Sequence, residues 1–287
     1  MTKRKCKIVA EGCCNHMGDF DIAIEMTKIA KICGADYIKW QKRTPELAVP
    51  SEWHNMPHPN QSNAFGNTYL EHRKNLEFTI DQHFKLKEEA EKIGIGYSCS
   101  VWDELSANEI IELNPDFIKI PSAMNANVPL IEHIIDKYKN QIHISTGMMT
   151  IEEKNNLASL IKKYQNRFVV YHTTTEYPCK FEHLYLKEIE NLRNNFDIIG
   201  YSGHNYGIAA DIAALTLGVS WIERHFTLDR TWKGTDQAAS LEPDGLRRLC
   251  RDVDAIEKAL QYKTEDMTME ENKQRGKLKI IKNHSLQ

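Results

Sequence analysis

Short apolar runs alternate with longer amphipathic stretches along the chain. "KIVAE" reads as a strand, and an amphipathic helix follows over Asp19–Cys33, stopped by Gly34. The alternation then repeats. "DYIKW" precedes a long loop and a helix over Asp81–Ile93, "GYSCS" precedes Asp103–Leu113, and "DFIKI" precedes Asn127–Tyr138. "QIHIS" leads to Thr150–Tyr164, "FVVYH" to His183–Leu192, "DIIGYS" to Tyr206–Leu217 and "SWIERHF" to Pro243–Tyr262. Eight βα units in succession predict an α/β fold of the TIM (β/α)8 barrel type, with an open doubly wound sheet as its competitor. Polar residues recur at the predicted strand ends: Glu11, Lys39, Ser100, Lys119, Ser145, His172, Ser202 and His225. A barrel brings all eight to one mouth, whereas an open sheet would spread them out.

A chain of 287 residues suits one such barrel. We expect the barrel over residues 1–262 and a charged tail, "MEENKQRGKLKII" within it, over 263–287. The loop Gln41–Phe78 is long and rich in Pro, Asn and His, a composition expected to serve function or stay irregular. Net charge is −3 with no long basic run, which argues against a nucleic-acid surface. No stretch approaches the roughly 18 apolar residues of a membrane helix, and the apolar run after the basic start is too short for a signal peptide. Seven cysteines without CxxC spacing read as reduced thiols in a cytoplasmic protein.

Two histidines stand at the ends of adjacent strands, His204 in "GYSGHN" and His225 in "IERHFT". Neighbouring strands lie about 4.8 Å apart, so both imidazoles can reach one cation and leave positions open for substrate. The alternative is two unrelated histidines. Lys39 and Lys119 each end an otherwise apolar strand, "YIKWQKR" and "FIKIPS". Three roles stay open for them: binding a phosphate or carboxylate beside Ser100, Ser122, Ser145 and Ser202, forming a Schiff base, or snorkelling to solvent. Glu11 and Asp236 could move a proton or hold a sugar hydroxyl, or serve as a structural partner to a lysine and as a turn residue. Cys13 and Cys14 read as packing residues.

Eight motifs in order resemble the sialic acid synthase (NeuB) family. They are "IVAEGCCNHMGD", "GADYIKWQ", "TYLEHRKNLEF", "FIKIPSAM", "ISTGMMT", "YHTTTEYP", "GYSGHNYGIAADIAALTLGVSWIERHFTLDR" and "KGTDQAASLEP", and the resemblance covers roughly Lys7 to Leu260. The resemblance implies a barrel transferase that condenses phosphoenolpyruvate (PEP) with an open-chain amino-sugar aldehyde. The products are a 2-keto-3-deoxy sugar acid and phosphate. It implies a divalent metal on His204 and His225, Mn²⁺ first, with Mg²⁺ or Co²⁺ as alternatives. Lys39, Ser100, Lys119, Ser122, Ser145, Thr175 and Ser202 would meet PEP. Gln41, Tyr177 and Asp236 would meet the sugar, and Glu11 would manage the proton.

The sequence departs from the family pattern in places. Gly203 stands where Asp is frequent, Gln237 where His is frequent, and Thr175 where an amide is common. Lys42–Arg43 is unusually basic: either the pair meets an extra anion on the acceptor, or it is a solvated loop pair. Family members normally continue into a small antifreeze-like domain that covers a partner's barrel, and the expectation here is a barrel without that lid. The acceptor and the oligomeric state therefore stay open, a homodimer among the options. Two other functions remain in view: a catalytically inactive scaffold barrel, and a metal-dependent pyruvate aldolase.

Overall fold

The computed structural model describes residues 4–280. Eight parallel strands close in sequence order: β1 (Lys7–Cys13), β2 (Tyr37–Lys42), β3 (Gly96–Val101), β4 (Phe117–Ile120), β5 (Gln141–Ser145), β6 (Phe168–His172), β7 (Ile199–Gly203) and β8 (Trp221–His225), with β8 returning to β1. The barrel expectation holds, and the open sheet is excluded. Helices pack outside, ended as the sequence signals. Asp19 caps Phe20–Cys33 through two backbone N–H groups, and Gly34 closes that helix at φ 95°, a conformation glycine adopts without strain.

Three helices differ from expectation. His183–Leu192 holds only a tight turn at Phe181–His183 and a short helix at Glu188–Leu192. Tyr185 takes φ 43° there, and the strand-side loop is stitched to this segment by His172 Nε2 on the Leu184 carbonyl and Thr174 Oγ1 on the His183 carbonyl. The helix after β7 starts at Ala209 rather than Tyr206, because Gly207 turns the chain at φ 69°. After β5 the α-helix ends at Ile161 and tightens into a 3₁₀ turn. The tail forms a helix at Met269–Leu278 with no buried residue, and residues 281–287 of the expected tail lie outside the described residues. Among the described residues no helix is long and apolar enough to cross a membrane.

Side chains alternate across each strand, and this builds the barrel interior in layers. Val9, Phe117, Val169, Tyr171 and Trp221 form a buried cluster with Tyr37 packed on it. His143 stacks on Phe117 at 3.7 Å and meets Trp221 edge-on at 4.5 Å. This aromatic floor seals the lower barrel. Two residues further along the same strands stand Glu11, Lys39, Lys119 and Glu223, so the period of two sets a charged layer directly on the floor. Two more residues along β2 and β8 give Gln41 and His225, at the mouth.

Candidate active site at the barrel mouth

The charged layer is an alternating quartet, buried throughout. Lys39 pairs with Glu11, donates to Ser100 Oγ at 2.7 Å and lies 3.8 Å from Glu223. Lys119 Nζ reaches both oxygens of Glu223, at 2.9 and 3.0 Å, and sits 4.0 Å over the Tyr171 ring. Ser202 Oγ donates to Glu223 at 3.2 Å. Burial works against the Glu223 carboxylate, but Lys119 and Lys39 outweigh it and hold it down at about 2. Burial pushes Lys119 down to about 8 despite Glu223. Burial also opposes the Lys39 ammonium, yet Glu11 and Glu223 raise its pKa.

The lysines therefore meet the chain's own carboxylates first. Glu11 is a structural partner of Lys39, whatever else it does. The sequence reading missed Glu223, although its place two residues before His225 on one strand put it on the same face. Each ammonium carries three donors, so Lys119 keeps one for a substrate anion after both contacts with Glu223.

Above the quartet lies a cavity of about 270 Å³, and every residue expected to meet PEP, sugar or metal lines it. Lys39, Lys119 and the hydroxyls of Ser100, Ser122, Ser145, Ser202 and Thr175 face one another there. The Thr173 and Thr175 hydroxyls are buried without a partner. Gly147 leaves bare backbone beside them, and a Cβ at that position would stand 2.6 Å from Ser122 Oγ. The glycine thus lets these hydroxyls close up against the backbone, and hydroxyl donors gathered beside two lysines suit an anion.

The mouth holds the imidazoles. The ring centroids of His204 and His225 are 5.3 Å apart, and Tyr177 lies 4.1 and 5.9 Å from them. His204 Nδ1 donates to the Thr174 carbonyl at 2.8 Å, which leaves Nε2 as its lone-pair nitrogen. Burial, then His225, pushes His204 down to about 3, so the ring is neutral and able to ligate. His225 Nδ1 is buried without a partner.

Ligand atoms of Cys13, His225 and Asp236 lie within 4.8 Å of one another. Imidazole, thiol and carboxylate with an orphaned ring nitrogen are a donor set that fits a divalent cation. Cys13, expected to pack, is buried and also has a polar partner at the mouth. A bulge shifts the β1–β2 register between Glu11 and Cys13, Cys13 takes φ 50°, and its Sγ meets Asp236 Oδ2 at 2.7 Å. Burial opposes ionisation of Asp236, but His225 and the Cys13 hydrogen bond prevail and lower its pKa.

The rim corrects another expectation. Lys42–Arg43 is not a solvated loop pair: the two residues are 9% and 3% exposed. Alternation sends them apart. Lys42 pairs outward with Glu109 at 3.1 Å, while Arg43 turns into the cavity. Arg43 pairs with Glu77 at 2.6 Å, lies 4.4 Å over Trp102 and donates to Gln41 Oε1. Gln41 in turn donates to Glu11 at 3.1 Å and to Cys13 Sγ at 2.9 Å. Arg73 also lines the cavity and was not foreseen.

On the outward face of β8, Arg224 ties the loop after β7 down. It pairs with buried Asp211 and donates to the carbonyls of Asn205 (2.6 Å) and Gly207 (2.8 Å), beside His204. Gly203 has a local cause, since a Cβ there would lie 2.7 Å from the Tyr201 ring and 2.9 Å from Asn205 Oδ1. Gln237 is buried and donates to the Asn15 carbonyl at 3.1 Å, joining two mouth loops.

The family model described as "NeuB family" matches residues 26–265. The N-acetylneuraminate-9-phosphate synthase of Homo sapiens is 39% identical over 264 residues, 91% of this chain and 73% of that protein. The N,N'-diacetyllegionaminic acid synthase of Campylobacter jejuni is 34% identical over 261 residues, 90% of this chain and 78% of that one. Among solved structures, an N-acetylneuraminic acid synthetase from Leptospira borgpetersenii, in complex with citrate, superposes with a TM-score of 0.81 at 28% identity. That match covers 96% of this chain and 93% of that one.

Proposed function

The chain belongs to the NeuB family of synthases, and from that premise we propose that it condenses PEP with the open-chain aldehyde of an amino sugar, releasing phosphate. One observation carries the proposal: two lysines, a ring of hydroxyls and two imidazoles line a single cavity above a sealed floor.

Lys39, Lys119, Ser100, Ser122, Ser145, Ser202 and Thr175 bind the phosphate and carboxylate of PEP through charge-assisted hydrogen bonds. This holds its C3 toward the mouth, where Gln41, Tyr177 and Asp236 position the acceptor. His204 and His225, with Cys13 and Asp236 beside them, would hold a divalent cation, Mn²⁺ for preference. When bound, that cation supplies Lewis acidity at the aldehyde oxygen.

The bonds balance as follows. C3 of PEP joins the aldehyde carbon, whose oxygen becomes a hydroxyl. Water adds to C2, and the bond between C2 and the phosphate oxygen breaks. One proton is needed at the aldehyde oxygen and one leaves the water, so the protons balance over the turnover. Glu11, a carboxylate held by Lys39 and Gln41, is our candidate to take the proton from the water and return it to the sugar oxygen or the solvent. Lys119 is engaged by Glu223 through both oxygens, which disfavours a Schiff base. We assign residues 1–262 to the catalytic barrel and 263–287 to a tail outside the chemistry.

A phosphate-release assay tests the proposal, with PEP, Mn²⁺ and a panel of aldoses. The expected result is aldose-dependent release that a chelator abolishes. Release independent of aldose, or turnover with pyruvate in place of PEP, would sink it.

A further inference from the structure

The arginines at the rim have no part in the chemistry above, and they sit in a place that selects an acceptor. Arg43, Arg73 and Trp102 line both the main cavity and an adjoining side chamber of about 230 Å³, roofed by Val49, Pro50 and Trp53 of the long loop after β2. We propose that Arg43 and Arg73 form a phosphate subsite for the far end of the acceptor, so that the enzyme takes a sugar phosphate rather than a neutral sugar. This rests on the condensation reading for the direction in which the acceptor lies.

The two guanidiniums are held differently. Arg43 is buried and fixed, clamped by Glu77 and stacked on Trp102. Arg73 is half-buried. It lies 5.2 Å over the Tyr69 ring and donates to its hydroxyl at 2.8 Å. Among the described residues no carboxylate lies within ion-pair distance of it, so its charge faces the cavity uncompensated. Lys233 lies nearby, over Phe65 at 4.8 Å. The crowding of cations registers on His72 between them: burial first, then Arg73, His58, Arg43 and Lys233, pushes it down to about 4.

Position along the cavity follows from contacts. A hydrogen-bonded string runs from Arg43 through the Gln41 amide to the Cys13 thiol and on to Asp236. One amide and one thiol thus separate the arginine from the group beside His225. An extended acceptor with its aldehyde at the imidazoles points its other end at Arg43 and Arg73.

In the condensation reading PEP is held one layer lower, by the free N–H of Lys119 and the ring of hydroxyls, which leaves this pair for the acceptor. The fork of Arg73, with the Nη1 group that Glu77 and Gln41 leave free on Arg43, matches the several oxygens of a phosphate dianion. A carboxylate would be satisfied by Arg73 alone.

Calorimetric titration of the full-length, manganese-loaded protein tests this, with an N-acylhexosamine and its 6-phosphate as probes. The phosphorylated probe should bind at least roughly tenfold tighter, the scale of a charged hydrogen bond. Arg73→Gln should remove most of that difference, and Arg73→Lys should restore part of it. Equal affinity for both probes in the unmodified protein would overturn the subsite, as would equal weakening of both in Arg73→Gln. Binding is read without turnover, so the two readings fail separately. Phosphate-dependent binding without PEP consumption would sink the condensation and leave the subsite standing. Consumption of PEP with equal affinity for both probes would do the reverse.

Discussion

Gly147 follows β5, and its bare α-carbon faces the hydroxyls proposed to hold PEP. In Gly147→Ala the new methyl would stand 2.6 Å from Ser122 Oγ and 2.9 Å from Thr173 Cγ2, and would press hardest on Thr175 Oγ1. Ordinary contact begins at 3.4 Å, so these side chains must move. The backbone cannot retreat, because Asn125 Nδ2 donates to the carbonyls of Ser145 (2.9 Å) and Gly147 (2.8 Å). Nor does Gly147 sit in the left-handed region, so alanine adds crowding and no backbone strain. A hydrogen bond to a charged group contributes about 1.5–3 kcal/mol, so displacing one hydroxyl should raise the KM for PEP roughly tenfold to a hundredfold. Overpacking should cost about 1–3 kcal/mol of stability, measured by urea unfolding. Steady-state kinetics with PEP and acceptor varied separately decide the matter. An unchanged KM for PEP, or an equal rise for the acceptor, would refute the assignment of this cradle to PEP.

Further outcomes follow from other contacts. Arg224→Met strands the buried carboxylate of Asp211 and frees the β7 loop, so unfolding free energy should fall by about 3–5 kcal/mol in a urea titration. Phe117→Ala opens the aromatic floor and should cost about 3–5 kcal/mol by the same measurement, a loss under about 1 kcal/mol counting against a sealed floor. Cys13→Ser should weaken Zn²⁺ and Co²⁺ binding more than Mn²⁺ binding, because thiolate favours the softer ions. The cobalt-loaded protein should then lose a near-ultraviolet thiolate charge-transfer band, and a spectrum identical to that of the unmodified chain would remove Cys13 from the ligand set.

Much of the barrel was legible because strand-end polarity and helix stops are local signals. "KIVAE", "DYIKW" and "DFIKI" each mark a strand whose last residues face the mouth, and Gly34 ends its helix for a backbone reason visible in the sequence. Lys39, Lys119, His204 and His225 stood out as polar interruptions of apolar runs. What escaped depended on three-dimensional partnership. Glu223 sits on the right face of β8, but only the closed barrel brings it to Lys119 on β4. Cys13 turns inward through a bulge and a left-handed residue that "EGCCN" does not announce. Arg73 enters from a short helix, Tyr69–Lys74, inside the long connection after β2, whose path no periodicity fixes. The Tyr206 start of the helix after β7 failed because its amphipathic pattern continues through a loop that Gly207 turns.

The central claim concerns which bond of PEP breaks, and an isotope reads it directly. PEP carrying ¹⁸O in the oxygen that bridges C2 and phosphorus would be turned over with manganese and an amino-sugar aldehyde, and the released phosphate weighed by mass spectrometry. Water addition at C2 predicts that the label leaves with the phosphate, in step with a product that contains both carbon skeletons. Label retained in the organic product, or phosphate formed with no joined product, would contradict it.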